Sequence, residues 1–124
     1  MNREEMKART KAYANRVVKF CSALPGNWIA RTLGKQLLRS GTSVGANSRA
    51  VGCAKSNSDF INKLRIVEEE CDESLFWTEL LVDNNLIKLS RLGDLMKEAG
   101  EILAIVVSSA KTVRSSFSRV NRIS

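Results

Sequence analysis

The densest group of residues able to do chemistry is acidic: Glu68, Glu69, Glu70, Asp72 and Glu73 lie in one short stretch. Carboxylates on helices can hold a metal pair, and Glu69, Glu70 and Glu73 are the ones to test. That chemistry needs Glu-x-x-His motifs from two helices and a glutamate from each of two others. The chain has no histidine and concentrates its acids in one segment, so no metal or cofactor is expected. The missing histidine also removes the usual general base and the usual triad base. The run Gly41-Thr42-Ser43-Val44-Gly45 is loosely like a phosphate loop, but it lacks a following lysine in register and a preceding strand. Cys21, Cys53 and Cys71 are far apart and form no CxxC pair, which argues against zinc and for reduced thiols. A non-catalytic protein is therefore expected, its acidic cluster a solvated or subunit-facing surface.

Charge offers a different chemistry. The 124 residues carry a net charge of +7, laid out in three blocks. Met6 to Ser58 holds ten basic residues and no acid; Asp59 to Glu101 holds eleven acids and five bases; Ile102 to Ser124 holds four bases and no acid. Either the acidic block neutralises its neighbours within the fold, or a basic face is left for a polyanion. The candidate phosphate contacts are Arg31, Lys35, Arg39, Arg49, Lys111, Arg114, Arg119 and Arg122. RNA or DNA is the partner such a surface would suit. Trp28 and Tyr13 are the only stacking candidates.

The elements that must position these residues are helices. Composition is ordinary for a soluble protein, and one proline with seven glycines argues against a loop-rich β fold. Apolar residues recur at helical spacing over about 4–24, 28–54, 59–83 and 90–119. Met6, Tyr13, Val17, Phe20, Cys21 and Leu24 line the first, ended by Pro25-Gly26. Leu33, Leu37, Val44 and Val51 line the second, with Asn27 as its N-cap. Phe60, Leu64, Val67, Cys71, Leu75 and Leu81 or Val82 line the third, with Ser58 as its expected cap. Leu92, Met96, Ala99, Leu103, Val106, Ala110, Val113 and Phe117 line the fourth, capped by Ser90, and Val120 to Ser124 are expected to be loose. Short connections then predict an all-α fold, an antiparallel up-down-up-down four-helix bundle in a single domain over 1–124.

The second helix is unusual. Gly34, Gly41, Gly45 and Gly52 each cost about 1 kcal/mol against alanine in a helix. At about 100° per residue they fall on nearly one side. Either Gly41 divides the segment into two shorter helices, or the glycines form a groove for another backbone, in the same bundle or in a second subunit. Arg31, Lys35, Arg39 and Arg49 make a basic stripe on one flank. Ser40, Ser43 and Asn47 border the core on the other and would need hydrogen-bond partners if buried. A link from Arg39 to Glu70 of the third helix is expected to fix register. The N-terminus, Met1 to Thr10, lacks the apolar core of a signal peptide. The longest apolar run, Ile102 to Val107, is too short to span a bilayer. With reduced thiols, these features predict a cytoplasmic location.

Arg39-Ser40-Gly41-Thr42-Ser43-Val44-Gly45-Ala46-Asn47 resembles the signature of the bacterial four-helix bundle proteins encoded in intervening sequences of 23S rRNA genes. Phe20-Cys21-x-x-Leu24-Pro25 before it fits the same pattern. So do Ser56-x-x-Asp59-Phe60-Ile61-x-Lys63-Leu64 and Glu68-Glu69-x-x-Asp72-Glu73-Ser74-x-x-Trp77-x-x-Leu80-Leu81 after it. The resemblance covers about Tyr13 to Asp83 by motif and the rest by helical pattern. It implies an antiparallel bundle assembled as a ring, typically a homopentamer, without catalytic activity. The related accessory protein of diversity-generating retroelements binds a reverse transcriptase and its template RNA; this sequence looks like the plain branch. The resemblance implies the chain itself as one partner and, through its retroelement branch alone, a reverse transcriptase; RNA or DNA is the partner that the charge layout suits. In a ring, Gly34, Gly41, Gly45, Gly52, Ser43, Asn47 and Glu70 are the candidate packing or interface residues.

Overall fold

Each helix start can be traced to a short polar side chain or a turn. Asn2 accepts a hydrogen bond from the Glu5 backbone N–H (2.8 Å) and opens α1, Arg3–Ser22. Asn27 accepts from the N–H groups of Ile29 and Ala30 and opens α2, Trp28–Val51. Ser56, with extended backbone, accepts from Asp59 N–H at 3.1 Å and opens α3, Asn57–Asp83. Asn85, at φ 56°, turns the chain between α3 and α4, Leu89–Ile123. The computed structural model describes the backbone of residues 2–123 and the side chains of residues 2–116.

The four helices form the expected antiparallel four-helix bundle, each packing on its neighbour in sequence, with α4 returning to α1. α2 and α4 stand diagonally opposite. The core runs along the middle: Tyr13 and Val17 from α1, Leu37 and Val44 from α2, Val67, Cys71 and Leu81 from α3, Leu92, Ile102 and Val106 from α4. Among the described residues, no helix is long and apolar enough to cross a membrane.

Several boundaries and caps differ from expectation. α3 is capped by Ser56 rather than Ser58, because the Asp59 carboxylate folds back to accept from Lys55 N–H at 3.0 Å. That reciprocal pair satisfies two amide donors at once, as a capping box does. The same bond, ahead of the Lys63 ammonium, holds the Asp59 carboxyl below the usual range. α4 begins at Leu89, so Ser90 lies inside its first turn, and it continues to Ile123 past the expected end; Ser124 lies outside the described residues. In α4, Leu92, Ala99, Val106 and Ala110 are buried as expected, while Leu95 and Ile102 are buried in place of Met96 and Leu103, which are half-buried; the Phe117 side chain lies outside the described residues. α2 stops at Val51, short of the expected 54.

Buried polar groups are mostly answered by their own helix. Ser40 Oγ donates to Gln36 O (2.8 Å), and Asn47 Nδ2 donates to Ser43 O (2.9 Å). The longest reach is from Tyr13 in α1 to Ser74 in α3, 2.8 Å between hydroxyls. Ser74 Oγ gives its proton to Cys71 O (2.8 Å), so Tyr13 is the donor of that pair. Burial pushes the Tyr13 phenol up to about 12, which keeps that proton in place.

Candidate nucleic-acid interface

The glycine line decides how the basic residues are arranged. α2 is one continuous helix through Gly41, so the reading of two shorter helices does not hold. The groove is filled by α1 of the same chain. A Cβ on Gly41 would stand 2.8 Å from both Val17 methyls, and one on Gly45 would stand 3.2 Å from Thr10 O. A Cβ on Gly34 would meet the Leu24 side chain, and Cys21 Sγ reaches Gly34 O at 3.5 Å. Burial pushes the Cys21 thiol up to about 11, away from thiolate reactivity. Gly52 takes no part: it follows the last residue of α2, and a Cβ there would touch only Arg49 O at 3.5 Å.

Because α1 lies this close to α2, lysines of α1 stand beside the basic stripe of α2. Lys7 and Lys11 share a shallow groove of about 170 Å³ with Thr42, Gly45, Ala46 and Arg49. No acidic residue lines it. Arg31 precedes Arg49 by five helical turns and lies on the same side of α2, with Lys35 one turn further along. All five cations are exposed, and among the described residues none of them makes an ion pair. Sequence reasoning missed Lys7 and Lys11. Their four-residue spacing on α1 was visible, but their neighbours across the seam were not.

The other candidate contacts are placed elsewhere. Arg39 is turned toward α3, where Nη2 donates to Glu73 Oε2 (2.6 Å) and Nη1 to Glu70 Oε2 (3.4 Å). The expected link to Glu70 is present, but Glu73 is the closer partner. Partial burial first, and the neighbouring Glu73 carboxylate second, push the Glu70 carboxyl above its usual value despite Arg39. Ser43 and Asn47 are half-buried on α2.

Arg114 lines a different groove, between α3 and α4, with Arg65, Glu68, Glu69, Asp72, Leu103 and Val107. Lys111 is exposed on α4, diagonally across from α2. The side chains of Arg119 and Arg122 lie outside the described residues. Of the two stacking candidates, Tyr13 is fully buried, while Trp28 is 74% exposed at the start of α2. The expected set is thus divided: Arg31, Lys35 and Arg49 share a face with Lys7 and Lys11, Arg39 is paired, and Arg114 faces acids.

The family model described as 23S rRNA-intervening sequence protein matches residues 4–108. A solved structure from Bacteroides thetaiotaomicron, titled as a protein of unknown function from the S23 ribosomal protein family, is similar with a TM-score of 0.82 and 34% identity. The match covers 90% of this chain and 99% of that one. No curated protein matches the chain. The aligned bundle and the match over nearly all of α1 to α4 place the chain in the 23S rRNA-intervening sequence protein family.

Proposed function

We propose that the chain binds single-stranded or irregular RNA, without catalysis, through the face shared by α1 and α2. The observation that carries this reading is the acid-free groove in which Lys7, Lys11 and Arg49 meet. Arg31 and Lys35 continue the same exposed face along α2. Lysine and arginine on helix surfaces contact phosphates rather than bases, so binding is salt-sensitive and weakly sequence-specific. With about five phosphates neutralised, the logarithm of affinity falls with the logarithm of salt at a slope near −3.5 for a single strand. The exposed Trp28 ring supplies one platform for base stacking.

Fluorescence anisotropy with a labelled single-stranded RNA tests this. The triple variant Lys7→Glu, Lys11→Glu, Arg49→Glu is expected to bind at least about tenfold more weakly with a shallower salt slope, while Lys111→Glu binds as the parent does. Absence of binding at low salt, or equal losses in both variants, would reject the reading.

A second reading rests on a separate observation. The groove holding Glu68, Glu69 and Asp72 lies between α3 and α4, apart from the basic groove between α1 and α2. Complementary grooves on different faces of one chain suit head-to-tail association, which closes into a ring when the rotation allows. The family resemblance supports such a ring, a homopentamer. Sedimentation at micromolar concentration separates the readings: a monomer would sink the ring, and a ring dispersed by Glu68→Lys with Glu69→Lys would support it. Arg39→Glu is a poor probe of either, since Arg39 already serves Glu70 and Glu73 within the chain.

A further inference from the structure

At the end of the bundle where α1 begins and α2 ends, the described side chains leave a gap between the helices. A cavity of about 510 Å³ remains there, within the size range of small-molecule sites. Its walls are apolar: Met6, Val51, Phe60, Leu64, Val67 and Val106. Val51, Leu64, Val67 and Val106 are buried and make its floor, while the half-buried Met6 and Phe60 present accessible apolar surface. Arg3, Lys7 and Arg49 also line it, with Glu4 the one acidic residue among the lining. The Arg3 guanidinium lies 4.5 Å over the Phe60 ring. That stacking holds the cation at the boundary between apolar wall and solvent. Ser48 adds a hydroxyl. The residue is 7% exposed and lines the cavity.

This arrangement sorts ligands by chemistry. A hydrated polyanion would have to lose water to apolar walls that return nothing. A neutral hydrocarbon would fill the walls but leave the cations unused. A molecule with one anionic head and one apolar tail satisfies both. We propose that the cavity binds a single-chain aliphatic carboxylate, its tail along Met6 and Phe60 over the floor of Val51, Leu64 and Val106, and its head between Arg3, Arg49 and the Ser48 hydroxyl. Charge complementarity at the lining selects the head, and the apolar walls select the tail. The site is separate from the RNA face in Arg3 and in its walls, although Lys7 and Arg49 serve both.

Decanoate and decanol, both below their aggregation limits, are the probes. Calorimetry and the ε-methyl signals of ¹³C-labelled methionine are the readouts. Met6 lines the cavity and Met96, on α4, does not. Decanoate is expected to bind saturably, shift the Met6 signal and leave Met96 in place. Decanol is expected to bind about tenfold more weakly, and Arg3→Gln with Arg49→Gln to erase that preference. Circular dichroism checks that the double variant stays helical. No saturable heat overturns the proposal, as does equal movement of the Met6 and Met96 signals or a preference unchanged in the double variant. A Met6 signal that follows protein concentration and ignores decanoate would assign the cavity to a second copy, and also overturns it. Arg3→Gln alone leaves RNA binding unchanged, so failure here and failure of the RNA reading are told apart.

Discussion

α1 is held by two seams built on opposite principles. Against α2, side chains are removed: Gly41 and Gly45 bring the backbones together over Val17, Thr10 and Ala14. Against α4, which packs on α1 far more lightly, the link is charge. Arg9 Nε donates to Glu98 Oε2 at 2.9 Å, and Nη2 donates to Glu98 Oε1 at 2.6 Å and Glu101 Oε2 at 2.7 Å. A seam of the first kind is specified by shape and is indifferent to salt and pH. A seam of the second kind has directional bonds but depends on both. The basic groove lies along the shape-specified seam, so its lysines and arginines are positioned without acidic partners that would cancel them.

The largest break in this comparison is Gly41→Ala. The new methyl meets Val17, a β-branched, fully buried side chain with little freedom to turn away. Overpacking of this kind costs about 1–3 kcal/mol, and the helix propensity of alanine returns about 1. A net loss of up to about 2 kcal/mol is expected, read as a lower urea midpoint with unchanged slope. The same variant should weaken RNA binding, because Lys7 and Lys11 move with α1. Gly34→Ala is expected to be milder, since the atom in its way is the end of the flexible Leu24 side chain.

Arg9→Ala tests the other seam. Removing a fork that holds two carboxylates is expected to cost about 1 kcal/mol, less at high salt. It should leave RNA binding intact. Its pH dependence has a definite sign. The hydrogen bond from Arg9 holds the Glu98 carboxyl below its usual value. Stabilisation by that pair is therefore complete above the unfolded carboxylate value of about 4.3 and is lost as the pH falls through the lower folded value. Glu70 works the other way, since its carboxyl is raised and acid relieves it. The parent should lose urea stability on acidification below about pH 5, and Arg9→Ala should lose less.

What could be read in the sequence was whatever one helix determines alone. The break at Pro25-Gly26 and the glycine line follow from periodicity and spacing; the Arg39–Glu70 link is the exception, a cross-helix contact legible from opposite charges on adjacent helices. What could not be read depended on distances between helices. Lys7 and Lys11 gained their place only because Val17 and Thr10 sit on glycines. Arg114 lost its place beside the α2 stripe because α4 is diagonal to α2. The cap of α3 fell to Ser56, which accepts from Asp59 N–H while the Asp59 carboxylate accepts from Lys55 N–H; the residue type of Ser58 alone did not record that. The end cavity depends on where four separate side-chain sets fail to meet, and no single-helix pattern records that.

The smallest prediction sharpens the comparison most. Gly100 lies inside α4 and pays the same helix-interior cost as Gly41, yet a Cβ there would meet nothing within 4 Å. If glycine cost alone set stability, alanine would help at both positions. If the α1–α2 seam is specified by close approach, the signs must differ. Gly100→Ala is expected to stabilise the chain by about 0.5–1 kcal/mol, through reduced freedom of the unfolded chain and better helix propensity. Gly93, also open, should behave alike. Matched urea titrations of Gly100→Ala and Gly41→Ala give the answer directly. Two gains would mean that α1 can shift off α2 at little cost, and the placement of Lys7 and Lys11 beside Arg49 would then lose its physical basis.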